Sequence, residues 1–287
     1  MKKLRQIVND IKALAPEDSN ELGRLLWLYI CYSPKMPLRL AQEQLLQNAE
    51  KNSLKVNDEY FAGKELQFNT FKWGNGSNKL LLTHGWGSKA VDFSELIEAL
   101  STIKNLEIIA FDAPGNGSSE GDLSNLLLFK QAVKAIALHY GKPDVVIGHS
   151  LGAMANIIAL REMQITPSLL ISLTPLVRLK ENFEASMDAL NIPPVNQKAF
   201  LESFNAKFGV PASRFTLDNW YNFDAQLNHW LAFDSNDVVS PYTYLEKFLA
   251  NHPFIKINNY EGAGHDKAIK SPVIITGIIE AVNSALN

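Results

Sequence analysis

Two glycines flank a serine at the point where a buried strand gives way to an apolar helix. The run Asp144-Val145-Val146-Ile147 is short and β-branched, and Gly141-Lys142-Pro143 bounds it upstream. Ala153 to Leu160 downstream is rich in helix formers. Between them stands Gly148-His149-Ser150-Leu151-Gly152. A turn this sharp forces the serine into a strained backbone conformation, and side chains two residues to either side of it would clash. The strain lifts the Ser150 hydroxyl above a sheet, at the N-terminus of a helix that favours negative charge. Gly-x-Ser-x-Gly in a strand–turn–helix context is the signature of a nucleophile elbow.

The bare pattern is weak, and the chain carries it twice. Gly117-Ser118-Ser119-Glu120-Gly121 also fits. That copy follows a polar, glycine-rich loop instead of a strand, and it does not open a helix. Context therefore selects Ser150 over Ser119 as the nucleophile.

The rest of the chain has the rhythm such a turn requires. From Leu66 onward, short apolar runs alternate with helical segments: strands at Leu66–Trp73, Lys79–Thr83, Leu106–Phe111, around Val145 and at Ser168–Leu173, with helices near Val91–Leu100 and Ser124–Tyr140. Leu66–Trp73 ends at a hairpin-like turn, Gly74 to Asn78, and Ser124 is the expected helix cap. The rhythm stops at Leu176. Residues 176–225 read as an inserted helical lid, with Phe183, Met187, Leu190, Phe200, Phe204 and Phe208 on apolar faces. Strands near Leu227–Phe233 and Pro253–Tyr260 follow, with helices at Pro241–Ala250 and Val273–Ala285. This order implies an α/β fold: a mostly parallel sheet with helices on both faces, and a site beyond the carboxyl ends of its strands. Residues 1–60 read as a separate, mostly helical segment, and 61–287 as the α/β core.

Bulk properties narrow the function. A length of 287 residues suits one large α/β domain with an insertion. The net charge of −3 gives no reason to expect nucleic acid or an anionic membrane as partner. Cys31 is the only cysteine, so no internal disulfide forms. The apolar run Leu25–Tyr32 is too short to span a bilayer and lacks a cleavage site after it, so no membrane span and a cytoplasmic location are expected. No lysine-bearing phosphate loop and no His/Cys set of ligand spacing is present, so no metal and no nucleotide site is indicated.

A serine hydroxyl needs a base to take its proton and a carboxylate to orient that base. The chain order on this kind of scaffold is Ser, then acid, then His. His265 follows a strand in Glu261-Gly262-Ala263-Gly264-His265, whereas His252 precedes one, at the wrong end of the sheet. His265 is therefore the candidate base. Asp237 is the candidate acid because it lies further along the loop after its strand; Asp234 stays open as the alternative. Donors for a developing oxyanion are expected from the N–H groups of Leu151 and Trp86, the latter in His84-Gly85-Trp86-Gly87. The Trp86 side chain and Met187 are candidate substrate contacts.

Taken together, His84-Gly85-Trp86-Gly87, Asp112-Ala113-Pro114-Gly115-Asn116-Gly117-Ser118, Gly148-His149-Ser150-Leu151-Gly152 and Asp237 with Gly264-His265 resemble the α/β-hydrolase fold superfamily, in its serine esterase- and lipase-like branch. The resemblance spans residues 66–287. It implies an eight-stranded sheet with a lid after the sixth core strand, and no cofactor. It gives the loop at Asp112 a shaping role, and a serine at the elbow separates this chain from dehalogenase and epoxide hydrolase relatives, which carry aspartate there. Asp234 is a departure, since many relatives have glycine near that point. Residues 1–60 resemble a segment in some bacterial relatives described only as hydrolases.

The expectation is a serine hydrolase that cleaves small-molecule carboxylic esters through an acyl-enzyme. A thioesterase or acyltransferase with the same triad is the alternative, and a non-catalytic ligand-binding protein on the same fold a more distant one. Residues 1–60 could pack on the core, cover the site or support a homodimer.

Overall fold

A computed structural model describes residues 2–14 and 19–286. Three helices come first: α1 (Lys2–Ala13), α2 (Ser19–Cys31) and α3 (Leu40–Gln47). Then follow β1 (Glu50–Asp58), β2 (Lys64–Trp73), β3 (Asn78–Thr83), α4 (Ser94–Leu100), β4 (Leu106–Phe111), α5 (Leu126–Tyr140), β5 (Val145–His149), α6 (Leu151–Met163) and β6 (Leu169–Leu173). Helices α7 (Leu179–Asp188), α8 (Pro194–Phe208) and α9 (Leu217–Trp220) separate β6 from β7 (His229–Phe233), and α10 (Tyr242–Asn251), β8 (Lys256–Asn259) and α11 (Pro272–Leu286) complete the chain.

The eight strands form one sheet in the order β1-β2-β4-β3-β5-β6-β7-β8. Strands β3 to β8 run parallel, while β2 is antiparallel to both β1 and β4. Because side chains alternate along a strand, the central strands supply both faces. Leu81, Val146 and Leu170 pack under α5 and α6, whereas Leu80, Leu82, Val145, Ile147, Leu169 and Ile171 pack under α4 and α11. These central residues are fully buried, each contributing on the order of 1.5–3 kcal/mol. Among the described residues, no helix is long and apolar enough to cross a membrane.

Three local expectations are corrected. Residues 50–58 form strand β1, not helix. Their sequence, EKNSLKVND, is polar because β1 is an edge strand with only Val56 and Asp58 buried, so apolar periodicity could not reveal it. The turn at Gly74–Asn78 is no hairpin: β2 pairs with β1 and β4, and β3 crosses to the far side of β4. Asn125, not Ser124, caps α5, its side chain accepting from the N–H groups of Leu127 and Leu128.

The segment 176–225 lies wholly between β6 and β7. It packs against the N-terminal helices through Ile7, Ile11, Leu25 and Leu26 on one side and Met187, Ile192 and Phe200 on the other. The N-terminal segment therefore sits on the insert as well as on the core.

Candidate active site

Parallel strands deliver their loops to one edge of the sheet, and the residues singled out in the sequence converge there. Ser150 stands between β5 and α6 with φ 52° and ψ −119°. That conformation is strained for any residue with a side chain. Both flanking glycines are required by space. A Cβ on Gly148 would lie 2.6 Å from the Ala153 Cα, and one on Gly152 would lie 2.3 Å from the His84 carbonyl oxygen. The turn is thus wedged between its own helix and the loop after β3.

His265 follows β8. Its Nε2 is 2.8 Å from Ser150 Oγ and its Nδ1 is 2.6 Å from Asp237 Oδ2. A carboxylate only accepts, so Nδ1 carries the proton and Nε2 offers its lone pair to the serine hydroxyl. Asp237 Oδ1 also accepts from the N–H groups of Val239 and Ser240. Burial pushes the Asp237 carboxyl up, but the bond from His265 and those backbone donors outweigh it and hold the group below the usual range. It is ionised at neutral pH, which fixes the imidazole tautomer.

Asp234 has a different task. Its Oδ1 accepts from the Asn236 N–H and its Oδ2 from the Gly264 N–H at 2.7 Å. The structure pairs Asp237 with the imidazole and Asp234 with the backbone that carries it. The His265 carbonyl is held as well. His149 Nε2–H donates to it at 3.1 Å and Thr174 Oγ1 at 3.3 Å. His149 is the variable residue of the elbow, and its ring lies 5.1 Å from that of His265. Burial drives its pKa down to about 3, helped by the neighbouring His265, so it stays a neutral donor. Only the long-range fold brings these two rings together, and no local pattern signals it.

The loop after β3 approaches the elbow closely. A Cβ on Gly85 would lie 2.6 Å from His149 Nδ1 and 3.2 Å from the Ser150 Cβ, so only glycine fits. Fully buried His84 braces this loop against the next one, accepting from the Ala113 N–H at 2.9 Å. Leu151 opens α6, where the first N–H groups have no intrahelical acceptor. Trp86 and Leu151 both line the cavity that contains Ser150.

Other candidates are accounted for. Ser119 Oγ donates to the Asp112 carbonyl at 2.6 Å and accepts from the Asn69 N–H, so this hydroxyl braces a loop. Asp112 accepts from Ala90, Ser118 N–H and Ser118 Oγ, tying the same loop to the next. Cys31 lines the cavity, but burial raises its pKa and leaves no thiolate. Met187 is not among the cavity-lining residues: it is fully buried between the insert and the N-terminal helices, so the expected substrate contact is corrected to a packing role. His149, His265 and Asp266 stand close enough to surround a cation, but both ring nitrogens of His265 are engaged by Ser150 and Asp237.

The cavity measures about 410 Å³ and reaches from Ser150 and His265 to the N-terminal helices and the insert. Its walls are mainly apolar, with Leu126, Leu179, Phe183, Phe204 and Phe215 among them.

A family model described as the Alpha/beta hydrolase family matches residues 80–266. No curated protein matches the sequence. Solved structures that resemble it include an esterase of Pyrococcus furiosus, 18% identical with a TM-score of 0.61 over 89% of this chain and 97% of that one. A thermophilic esterase from Thermogutta terrifontis with malate bound is 16% identical, with a TM-score of 0.57 over 82% and 99% of the two chains. Alpha/beta hydrolase domain-containing protein 10 from mouse is 16% identical, with a TM-score of 0.57 over 82% and 98%. At these identities the likeness is one of fold.

Proposed function

From membership of the alpha/beta hydrolase family, to which this chain belongs, we propose that it is a serine hydrolase that cleaves carboxylic esters of small molecules. The observation that carries this reading is one connected line of hydrogen bonds, Asp237 to His265 to Ser150, ending on the wall of an apolar cavity. The Pyrococcus furiosus and Thermogutta terrifontis proteins are esterases by name, which favours the same reading.

In this mechanism Ser150 Oγ attacks the ester carbonyl as His265 Nε2 takes its proton. Asp237 stabilises the imidazolium that forms. The N–H groups of Leu151 and Trp86 receive the oxyanion at the helix N-terminus. The imidazolium then gives its proton to the departing alcohol, leaving an acyl-enzyme. His265 takes a proton from water as that water attacks the acyl carbon; the acyl–Oγ bond then breaks, the imidazolium returns the proton to Ser150 Oγ and the acid leaves.

The test is intact-mass and peptide mapping after treatment with a fluorophosphonate, alongside hydrolysis of p-nitrophenyl butyrate, for the wild type and Ser150→Ala. One adduct on Ser150 and a loss of turnover of about 10⁴-fold or more in the variant are expected. No adduct, or turnover that survives Ser150→Ala, refutes the assignment. A matched thioester run in parallel assigns the preferred leaving group.

A further inference from the structure

Part of the cavity wall is built by residues outside the matched family region, beside the insert residues Leu179, Phe183, Phe204 and Phe215. Leu4 comes from α1, Tyr29 and Ile30 from α2, and Tyr32 and Pro34 from the chain just after it. These helices are held over the cavity from several sides. Tyr29 Oη donates to the Ser186 carbonyl on α7 at 3.3 Å. The Trp27 ring packs on Phe200, Phe204 and Phe208 of α8, with centroids 4.8, 6.1 and 5.9 Å away. The cluster of Ile7, Ile11, Leu25 and Leu26 with Met187, Ile192 and Phe200 joins the same elements.

The chemistry of the wall restricts what can occupy it. Among the described residues lining the cavity there is no lysine and no arginine; His149, His265 and Asp266 stand at the Ser150 end, and the N-terminal segment adds the thiol of Cys31 and the hydroxyls of Tyr29 and Tyr32. An acyl tail carrying a charge would enter the far end with no counter-ion and lose its hydration. Size sets a second limit. An engineered cavity of about 150 Å³ binds one benzene, so in proportion about 410 Å³ accommodates roughly 16 non-hydrogen atoms.

Resting on the reading of Ser150 as an acylated nucleophile, we infer that the N-terminal helices α1 and α2 are the specificity wall of the acyl pocket. Through Leu4, Tyr29 and Ile30 they select neutral, apolar, medium-chain acyl groups of roughly eight to twelve carbons, with the remaining space taken by the ester and part of the alcohol. The specificity of this protein is thus set by a segment that the family model does not reach.

The experiment is a p-nitrophenyl ester series from acetate to palmitate on the full-length protein, with Ile30→Trp, Ile30→Ala and Leu4→Trp, and with fluorophosphonate labelling of each. In the wild type, kcat/KM should peak at roughly eight to twelve carbons and fall at least about tenfold for a hemisebacate ester, which carries its carboxylate at the end of a ten-carbon chain, relative to the decanoate. Ile30→Trp and Leu4→Trp should lower the ratio of decanoate to butyrate kcat/KM at least about tenfold. Ile30→Ala should move the optimum to longer chains. A wild-type optimum at acetate, or equal losses for all chain lengths in both tryptophan variants, overturns the inference. If Ser150 labels normally in that case, only the assignment of the wall is lost. If Ser150 fails to label in the wild type, the esterase reading falls and this inference falls with it.

Discussion

Gly264 donates its backbone N–H to the Asp234 carboxylate at 2.7 Å, and the residue that follows Gly264 is His265. The bond is part-buried, with Asp234 only 2% exposed, and it crosses from the loop after β7 to the loop after β8. Gly262 and Gly264 both have positive φ, so this loop has little stiffness of its own. Asp234, His149 and Thr174 supply it by holding the backbone on either side of the imidazole.

The two carboxylates should therefore fail differently. Asp237→Asn removes the charge that fixes the His265 tautomer and is expected to lower kcat about 10³- to 10⁴-fold. Asp234→Asn leaves that pair intact but offers at best one acceptor where two backbone donors now meet. It should cost about tenfold in kcat and leave fluorophosphonate labelling confined to Ser150. Steady-state kinetics on both variants decide the matter; a larger loss from Asp234→Asn would reverse the assignment of the acid.

Acid sensitivity follows from Asp237. Its folded-state pKa lies below the ordinary carboxylate value, so across the acid range the unfolded chain binds more protons at this group than the folded one does. Its contribution is complete above about pH 4 and is lost as the pH falls through the folded pKa. Urea midpoints at pH 6 and pH 3 should fall further in the wild type than in Asp237→Asn. Equal falls would show that other groups dominate; Glu162, where burial is outweighed by Lys134 and Lys130, has the same direction and serves as the second site to mutate.

Ser119→Ala tests the second Gly-x-Ser-x-Gly. Its hydroxyl joins the Asp112 carbonyl to the Asn69 N–H, so the variant should lose about 1–3 kcal/mol of stability and keep its activity. Loss of activity in a variant that remains folded at the assay temperature would contradict the structural role.

Gly152 of the elbow and Gly209 at the end of α8 give a graded pair in thermal melts. Gly152→Ala sets a Cβ 2.3 Å from the His84 carbonyl and 2.6 Å from that of Thr83, both backbone atoms that cannot step aside. Gly209→Ala meets nothing within 4 Å and bears only the strain of φ +69°, about 1–2 kcal/mol. Gly152→Ala should cost more than that, about 3 kcal/mol or beyond. A smaller loss at Gly152 than at Gly209 would mean that the loop after β3 yields.

Local pattern determined the parts of this protein that local physics controls. The unbroken apolar runs at Leu80–Leu82, Val145–Ile147 and Leu169–Ile171 mark strands buried on both faces, and the glycines around Ser150 mark a turn that no larger residue can make. The order of Ser150, Asp237 and His265, each after a strand, was legible for the same reason. Tertiary structure decided what depends on pairing between distant segments. The polar strand β1 is held by its hydrogen bonds to β2, and polar edge residues carry no apolar period. Met187 on α7 and Phe204 on α8 are both buried, yet packing encloses Met187 against α1 and α2 and leaves Phe204 on the cavity wall. Asp234 and Asp237 are alike in composition and loop context. Only the position of the chain that returns after β8 gives one carboxylate a backbone N–H and the other an imidazole, because a hydrogen bond is set by distances of a few ångströms between groups that the sequence places far apart.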